Sequence, residues 1–196
     1  SFSEMLLEGA AGKNLHLEHI EDEILNFGVD GGRAALNFLR SLRDMLSGSA
    51  RSSLNMTVKW DGAPAIFAGI EPETGDFFVA KKSVFNTGKP KFYKTAQEID
   101  DDLSGALNEK FKVALAEFSK LGIKGVLQGD LMWTPGDIET TDIDGVSYIT
   151  FQPNTIVYAI PVDSDLGKTI NKAKVGIVWH TTYTGDTLQG MTASFG

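Results

Sequence analysis

Apolar residues recur at helical spacing over residues 15–48 and fall into two runs. The first run contains Leu17, Ile20 and Ile24 and ends at Gly28. The second begins after Asp30, a residue type favoured at helix N-termini, and continues to residue 48. The pattern predicts a helical hairpin, which we assign to an N-terminal unit of residues 1–54.

After residue 54 the pattern changes to short runs rich in β-branched and aromatic residues, which are typical of strands. These runs cover residues 56–60, 65–70, 77–82, 125–132, 148–151, 155–160 and 175–183. One helix is predicted between the third and fourth runs, from a capping box at Thr95 and Glu98 to Gly122. The pattern therefore predicts an α+β domain of residues 55–196 with a mainly antiparallel sheet.

Composition narrows the class of protein. Hydrophobic residues make up 42% of the 196 residues and charged residues 22%, which excludes a disordered or low-complexity chain. The absence of cysteine excludes disulfides, thiolate zinc sites and a cysteine nucleophile, and it favours a reducing compartment. No apolar stretch approaches the ~20 residues of a membrane span. We expect a cytoplasmic protein that does not contact membranes and that starts without a secretion signal.

Positive charge is concentrated in one segment, although the formal net charge is -8. Five lysines and no acidic residue lie between residues 81 and 94; they are Lys81, Lys82, Lys89, Lys91 and Lys94. A solvated loop explains this pattern, and so does a loop that binds phosphates.

The segment Lys59-Trp60-Asp61-Gly62 carries the clearest candidate chemistry. Lys59 alternates with apolar neighbours in a predicted strand, and a lysine that is desolvated in this way has a lowered pKa and becomes an amine nucleophile. Asp61-Gly62 is also a strong signal for a simple hairpin turn, so the four residues alone leave both interpretations open.

The sequence resembles the covalent nucleotidyltransferases, which comprise ATP-dependent DNA ligases, RNA ligases and capping guanylyltransferases. Lys59-Trp60-Asp61-Gly62 matches the KxDG motif of that superfamily, and residues 76–83 occupy the place of the hairpin that returns a basic residue to the nucleotide. Residues 125–132 match the strand that ends in an acid, here Asp130, and residues 148–151 match the strand that brings an aromatic residue, here Phe151. The chain is also similar to ligase-like proteins of tailed phages, in which case it acts in the host cytoplasm.

The resemblance implies an antiparallel ligase-type (ATP-grasp-like) sheet and a set of roles. Lys59 is the catalytic residue that forms a lysyl-AMP, and Asp130 binds Mg²⁺ or Mn²⁺. ATP, with GTP as the less favoured alternative, is bound by Val58, Asp61, Gly62, Lys81, Lys82, Phe151 and Lys174. A DNA or RNA end is the expected partner and contacts Lys89, Lys91 and Lys94.

The sequence departs from the superfamily at its fourth motif, an acid followed by Gly. The late candidate, Gly176, follows Val175 and not an acid. We therefore expect either that the chain continues beyond residue 196 or that its adenylylation site is incomplete or built differently. The alternatives are a non-catalytic module or phage structural component that keeps the ligase-like cleft, and a GTP-using capping-type enzyme. His16 and His19 are spaced as metal ligands on a helix, but no further histidine or cysteine cluster completes a site.

Overall fold

The computed structural model describes residues 20–48, 60–86 and 88–195. The chain divides into two units, residues 1–58 and 59–196. In the first unit, helix α1 (Ile20–Leu46) is interrupted at Gly28, whose φ of 57° and ψ of -128° are not helical. A side chain at Gly31 would collide with the backbone carbonyl of Glu23. The helix is thus broken at the glycine that the sequence indicates.

The described part of the second unit contains eight strands and three α-helices. In chain order they are β1 (Ala65–Ile70), β2 (Phe77–Ala80), α2 (Ala96–Asp102), α3 (Gly105–Phe118), β3 (Val126–Trp133), β4 (Glu139–Ile143), β5 (Val146–Phe151), β6 (Tyr158–Pro161), α4 (Asp165–Ile170), β7 (Gly176–Thr184) and β8 (Thr192–Phe195).

The strands form two antiparallel sheets. The larger sheet has the order β2-β1-β3-β7-β8, and the smaller has the order β4-β5-β6. The predicted α+β class with a mainly antiparallel sheet is therefore confirmed. Among the described helices, none combines the length and apolar composition that a membrane crossing requires.

Three apolar clusters hold this unit together. Helices α2 and α3 cover one face of the larger sheet, where Phe111 and Phe118 pack against Ile66 and Leu131. The opposite face is partly covered by two short 3-10 helices, residues 82–85 and 188–190, around the buried Tyr183. The third cluster joins β3 to the smaller sheet and α4. Burial of these side chains supplies the main stabilisation of the unit.

Two local predictions need correction. The predicted helix from residue 95 to 122 is two helices, because Leu103 and Ser104 have extended backbone angles. Strand β4 was not predicted, since Ile143 is its one apolar residue and the sequence shows no apolar run there; all five of its residues are exposed. The predicted strand over residues 56–60 lies outside the described residues except for Trp60, which is not in a strand.

Candidate functional site

Gly62 of the KxDG motif packs directly against Asp130. A Cβ atom at position 62 would lie 2.7 Å from the Cβ of Asp130 and 2.9 Å from the carbonyl oxygen of Leu131. The chain then runs into β1, with the Ala63 N–H donating to the Leu131 carbonyl at 2.9 Å and Ala65 paired with Asp130. Two segments that the sequence analysis singled out separately are thus in contact, and only glycine fits at position 62.

Asp61 connects the motif to the loop between β5 and β6. Its carboxylate accepts hydrogen bonds from the Asn154 side-chain amide at 3.2 Å and from the Thr155 hydroxyl at 3.3 Å. Its backbone N–H donates to the Tyr158 hydroxyl at 2.9 Å. Asp61 therefore links the segment that leads into β1 to the smaller sheet. Lys59 and Val58 themselves lie outside the described residues.

Phe151 lies in a row of aromatic rings. Its ring stacks on Tyr158 with centroids 5.4 Å apart, and Tyr158 in turn contacts Trp60 at 5.3 Å. Trp133 lies 6.4 Å away on its other side. Phe151 is only 5% exposed. The ring is thus packed between other rings, and its predicted contact with a base stays a prediction.

A cavity of about 430 Å³ opens beside this row. It is lined mainly by apolar side chains of β3, β7, α3 and α4, and its lining also includes Trp60, Phe151 and the predicted nucleotide ligand Lys174. The volume lies in the range of small-molecule sites, and an apolar lining with few polar groups is typical of them. The structure therefore brings Phe151 and Lys174 to one cavity.

Of the five lysines between residues 81 and 94, Lys91 and Lys81 contact Asp102. Lys91 Nζ lies 2.5 Å from Oδ1 of this carboxylate, and Lys81 Nζ lies 3.8 Å from Oδ2. The Tyr93 hydroxyl donates to the same carboxylate at 2.6 Å. The hydrogen bonds from Lys91 and Tyr93 hold the pKa of Asp102 below its usual value.

Lys94, the last lysine of this segment, also contacts carboxylates. Its Nζ lies 2.6 Å from Glu71 and 2.8 Å from Asp76, at the turn between β1 and β2. Hydrogen bonds from Lys94 lower the pKa of both carboxyls. The contacts of Lys81, Lys91 and Lys94 thus hold the segment against the protein, and the predicted binding of nucleic acid stays a prediction.

Lys82 and Lys89 differ in position from the other three lysines. Both side chains are exposed. Lys82 is the first residue of the 3-10 helix that follows β2. It follows the end of the sheet where β1 starts and where Asp130 lies on the neighbouring strand. Lys82 is therefore the lysine of this segment whose place beside the sheet best matches its predicted role at a phosphate.

His180 is a neighbour of Asp130 that the sequence analysis did not assign to the site. Its Nε2 lies 3.7 Å from Asp130 Oδ1, and its Nδ1 lies 2.8 Å from the hydroxyl of Thr181. The apolar run around His180 gave no signal beyond that of a core or cleft histidine. Within the described ranges, no group of three or more His, Cys, Asp or Glu side chains is arranged to hold a metal ion. A metal at Asp130 would thus need further ligands from substrate and water.

Residues 14–196 match a protein family that is described as a family of unknown function (DUF6267). No curated protein and no solved structure matches the chain.

Proposed function

The chain belongs to this family of unknown function, and we propose that it is an ATP-dependent nucleotidyltransferase in which Lys59 forms a covalent lysyl-AMP. The observation that carries the proposal is the contact of Gly62 with Asp130, because it joins the KxDG motif to the acid-bearing strand. Lys59 precedes Gly62 by three residues, and three residues of extended chain span at most about 10 Å.

The proposed step is nucleophilic substitution at phosphorus. The unprotonated Nζ of Lys59 attacks the α-phosphorus of ATP, and a P–N bond forms. The bond between the α-phosphorus and the oxygen that bridges to the β-phosphate breaks, and pyrophosphate leaves with that electron pair. The proton that the nitrogen loses passes to water. Such a reaction depends mainly on positioning and on neutralisation of charge.

We assign neutralisation of the negative charge on the ATP phosphates to Lys82 and Asp130. Lys82 is cationic and lies at the sheet end where β1 starts, so it is suited to hold a phosphate group. Asp130 offers a carboxylate whose side chain is 27% exposed, a donor type that fits Mg²⁺ or Mn²⁺. Mg²⁺ is commonly held by one or two carboxylates together with substrate phosphates and water, so one carboxylate here is a sufficient protein contribution. When bound, the metal stabilises negative charge on the departing pyrophosphate.

The cavity beside Trp60 and Phe151 is the place that we propose for the base of the nucleotide. Val178 lines it and is also the β7 partner of Asp130, so the cavity is adjacent to the strand position assigned to phosphate chemistry. An apolar lining favours a flat aromatic base, and Lys174 adds a cation to the lining. Asp61 is a positioning residue in this scheme, because it ties the motif to the loop before β6.

Transfer of the adenylyl group to a DNA or RNA end is the second step that we propose. An oxygen of the 5′-phosphate of the end attacks the lysyl-AMP phosphorus and forms a P–O–P bond. The P–N bond breaks with its electron pair on nitrogen, and Lys59 regains its amine by taking a proton from water. Of the predicted nucleic-acid contacts, Lys89 is exposed and has no acidic partner among the residues that the structure describes. We therefore assign Lys89 the main contact with the incoming strand.

The test is detection of the covalent nucleotide on the full chain. The protein is incubated with ATP or GTP and Mg²⁺ or Mn²⁺, denatured, and measured by intact mass spectrometry. We expect a mass increase of one adenylyl group with ATP, loss of it in Lys59→Ala, and retention in the matched control Lys124→Ala. Lys124 is an exposed lysine just before the start of β3, whereas Asp130 lies inside that strand.

Each other outcome contradicts part of the proposal. No adduct with either nucleotide under any metal overturns it, and nucleotide binding without an adduct favours a non-catalytic module. An adduct that persists in Lys59→Ala shows that Lys59 is not the nucleophile. An adduct with GTP alone favours the capping-type reaction.

A further inference from the structure

Strand β7 contains a one-residue irregularity at His180. Gln128 of β3 pairs with Thr181, but the next residue, Gly129, pairs with Trp179, so His180 has no partner in the ladder. Continued from the Asp130–Val178 and Gly129–Trp179 pairs, the alternation of β7 places His180 on the same face of the sheet as Val178 and Asp130. Extra residues of this kind re-aim side chains and are common beside active sites.

His180 lies beside Asp130 on this face. Residues two apart on a strand share a face, and Val178, the partner of Asp130, is two residues before His180. Nε2 of His180 accordingly lies 3.7 Å from Oδ1 of Asp130. Gly129 permits the altered pairing, because a Cβ there would lie 2.6 Å from the Val178 carbonyl and 2.7 Å from the Trp179 ring.

The orientation of the imidazole also suits metal binding. Nδ1 lies 2.8 Å from the Thr181 hydroxyl, and in the tautomer in which Nδ1–H donates to that oxygen, Nε2 carries the lone pair. Two protein ligands at roughly 2.1 Å from one ion are about 3.0 Å apart at a right angle and about 3.4 Å apart in a tetrahedron. The observed 3.7 Å needs only a small adjustment to reach either arrangement.

We propose that His180 Nε2 and Asp130 Oδ1 together form a mixed nitrogen and oxygen site that selects Mn²⁺ over Mg²⁺. This inference deepens the proposed function by naming the metal of the same site. It is nevertheless testable without nucleotide. Imidazole is a ligand for transition ions, whereas Mg²⁺ strongly prefers oxygen ligands and retains water. His180 also supplies a second protein ligand at a site where the sequence shows no acid before Gly176.

The experiment measures Mn²⁺ binding to the full, nucleotide-free chain by loss of the free-ion electron paramagnetic resonance signal, with Mg²⁺ as competitor. In His180→Asn we expect Mn²⁺ affinity to fall at least about tenfold, because even partners outside the coordination sphere change metal affinity by this much. Mg²⁺ affinity should change little, since its oxygen ligand remains. Asp130→Asn should weaken both ions.

Two further variants make the result specific. His180→Asp replaces nitrogen by an oxygen donor and should shift the preference toward Mg²⁺, which also provides a test if His180→Asn fails to fold. The double variant His16→Gln and His19→Gln is the matched histidine control and should bind Mn²⁺ as the wild type does. The ratio of Mn²⁺ to Mg²⁺ affinity is the deciding quantity, because loss of a purely structural ion pair would not change it selectively.

The outcomes separate this inference from the proposed function. Equal Mn²⁺ to Mg²⁺ ratios in the wild type and in His180→Asn, or loss of Mn²⁺ binding in the His16 and His19 double variant, overturn the metal site whether or not lysyl-AMP forms. Selective loss of Mn²⁺ in His180→Asn, with no adduct from any nucleotide in the wild type, supports the site and overturns the transferase.

Discussion

Gly62→Ala tests whether the contact between the KxDG motif and Asp130 is needed for the proposed chemistry. The added methyl group would lie 2.7 Å from the Asp130 Cβ and 2.9 Å from the Leu131 carbonyl oxygen. Both atoms belong to, or are attached directly to, the backbone of β3, so a flexible side chain cannot relieve the clash. The loop segment that leads into β1 must therefore move away from Asp130.

The expected losses of stability and of labelling rate in Gly62→Ala follow from the size of this clash. Forcing one methyl group into a well-packed place costs typically about 1–3 kcal/mol. For a chain of this length, 1 kcal/mol corresponds to roughly 2–4 °C in Tm, so we expect Tm to fall by roughly 2–12 °C. A displacement of about 1 Å at a reacting group can cost about 100-fold in rate, so adduct formation should slow by about that factor.

The assay compares Gly62→Ala with Gly136→Ala in thermal melts and in the rate of lysyl-AMP formation. Gly136 is a matched control, because a Cβ there meets no atom within 4 Å. A Gly62→Ala protein that melts within a degree of the wild type and labels at the same rate would refute the reasoning. Slower labelling at a temperature well below both melting transitions would separate the positional effect from unfolding.

Three further substitutions test the contacts around the site. Asp61→Ala removes the acceptors of the Asn154 amide and the Thr155 hydroxyl, and the loss should cost about 0.5–1.5 kcal/mol per hydrogen bond and speed proteolytic cleavage between β5 and β6; unchanged cleavage would contradict the link. Lys94→Met removes the hydrogen bond that lowers the pKa of Glu71. Because its pKa is lowered, the Glu71 carboxyl binds fewer protons in the folded state than in the unfolded state. Its stabilising effect is therefore present above the usual carboxyl pKa and is lost in acid. The difference in free energy of unfolding between the wild type and Lys94→Met, measured in urea, should shrink as pH falls below about 4. A difference in free energy of unfolding that does not change with pH would argue against a stabilising ion pair between Lys94 and Glu71. Lys89→Ala should make the salt dependence of nucleic-acid binding shallower by about 0.9 per lost duplex contact, and an unchanged slope would leave Lys89 a merely solvated residue.

Local sequence patterns predicted the elements of the second unit well, because each signal acts over a few residues. Short runs of β-branched and aromatic residues identified the core strands β1, β2, β3 and β7, and the capping box at Thr95 and Glu98 is present at the start of α2. The exposed β4 has one apolar residue among its five, so its pairing with β5 could not be read from the sequence.

The site was harder to predict, because its geometry depends on contacts between distant segments. Asp130 could be proposed from a motif, but the approach of His180 depends on the pairing of β3 with β7, which are far apart in the sequence and share no local signal. A count of lysines likewise could not show that Asp102 contacts two of them, since their positions in space follow from the packing of α2.

The position of β3 at the centre of the larger sheet has a consequence for motion. Its backbone is hydrogen-bonded to β1 on one side and to β7 on the other, so its amides should exchange with solvent only through opening of most of the unit. The loop before β6, which touches the KxDG motif through exposed side-chain hydrogen bonds, should open at much lower free energy. Entry and release of a nucleotide would then proceed by local opening on the side of the smaller sheet, while the strand that carries Asp130 stays fixed.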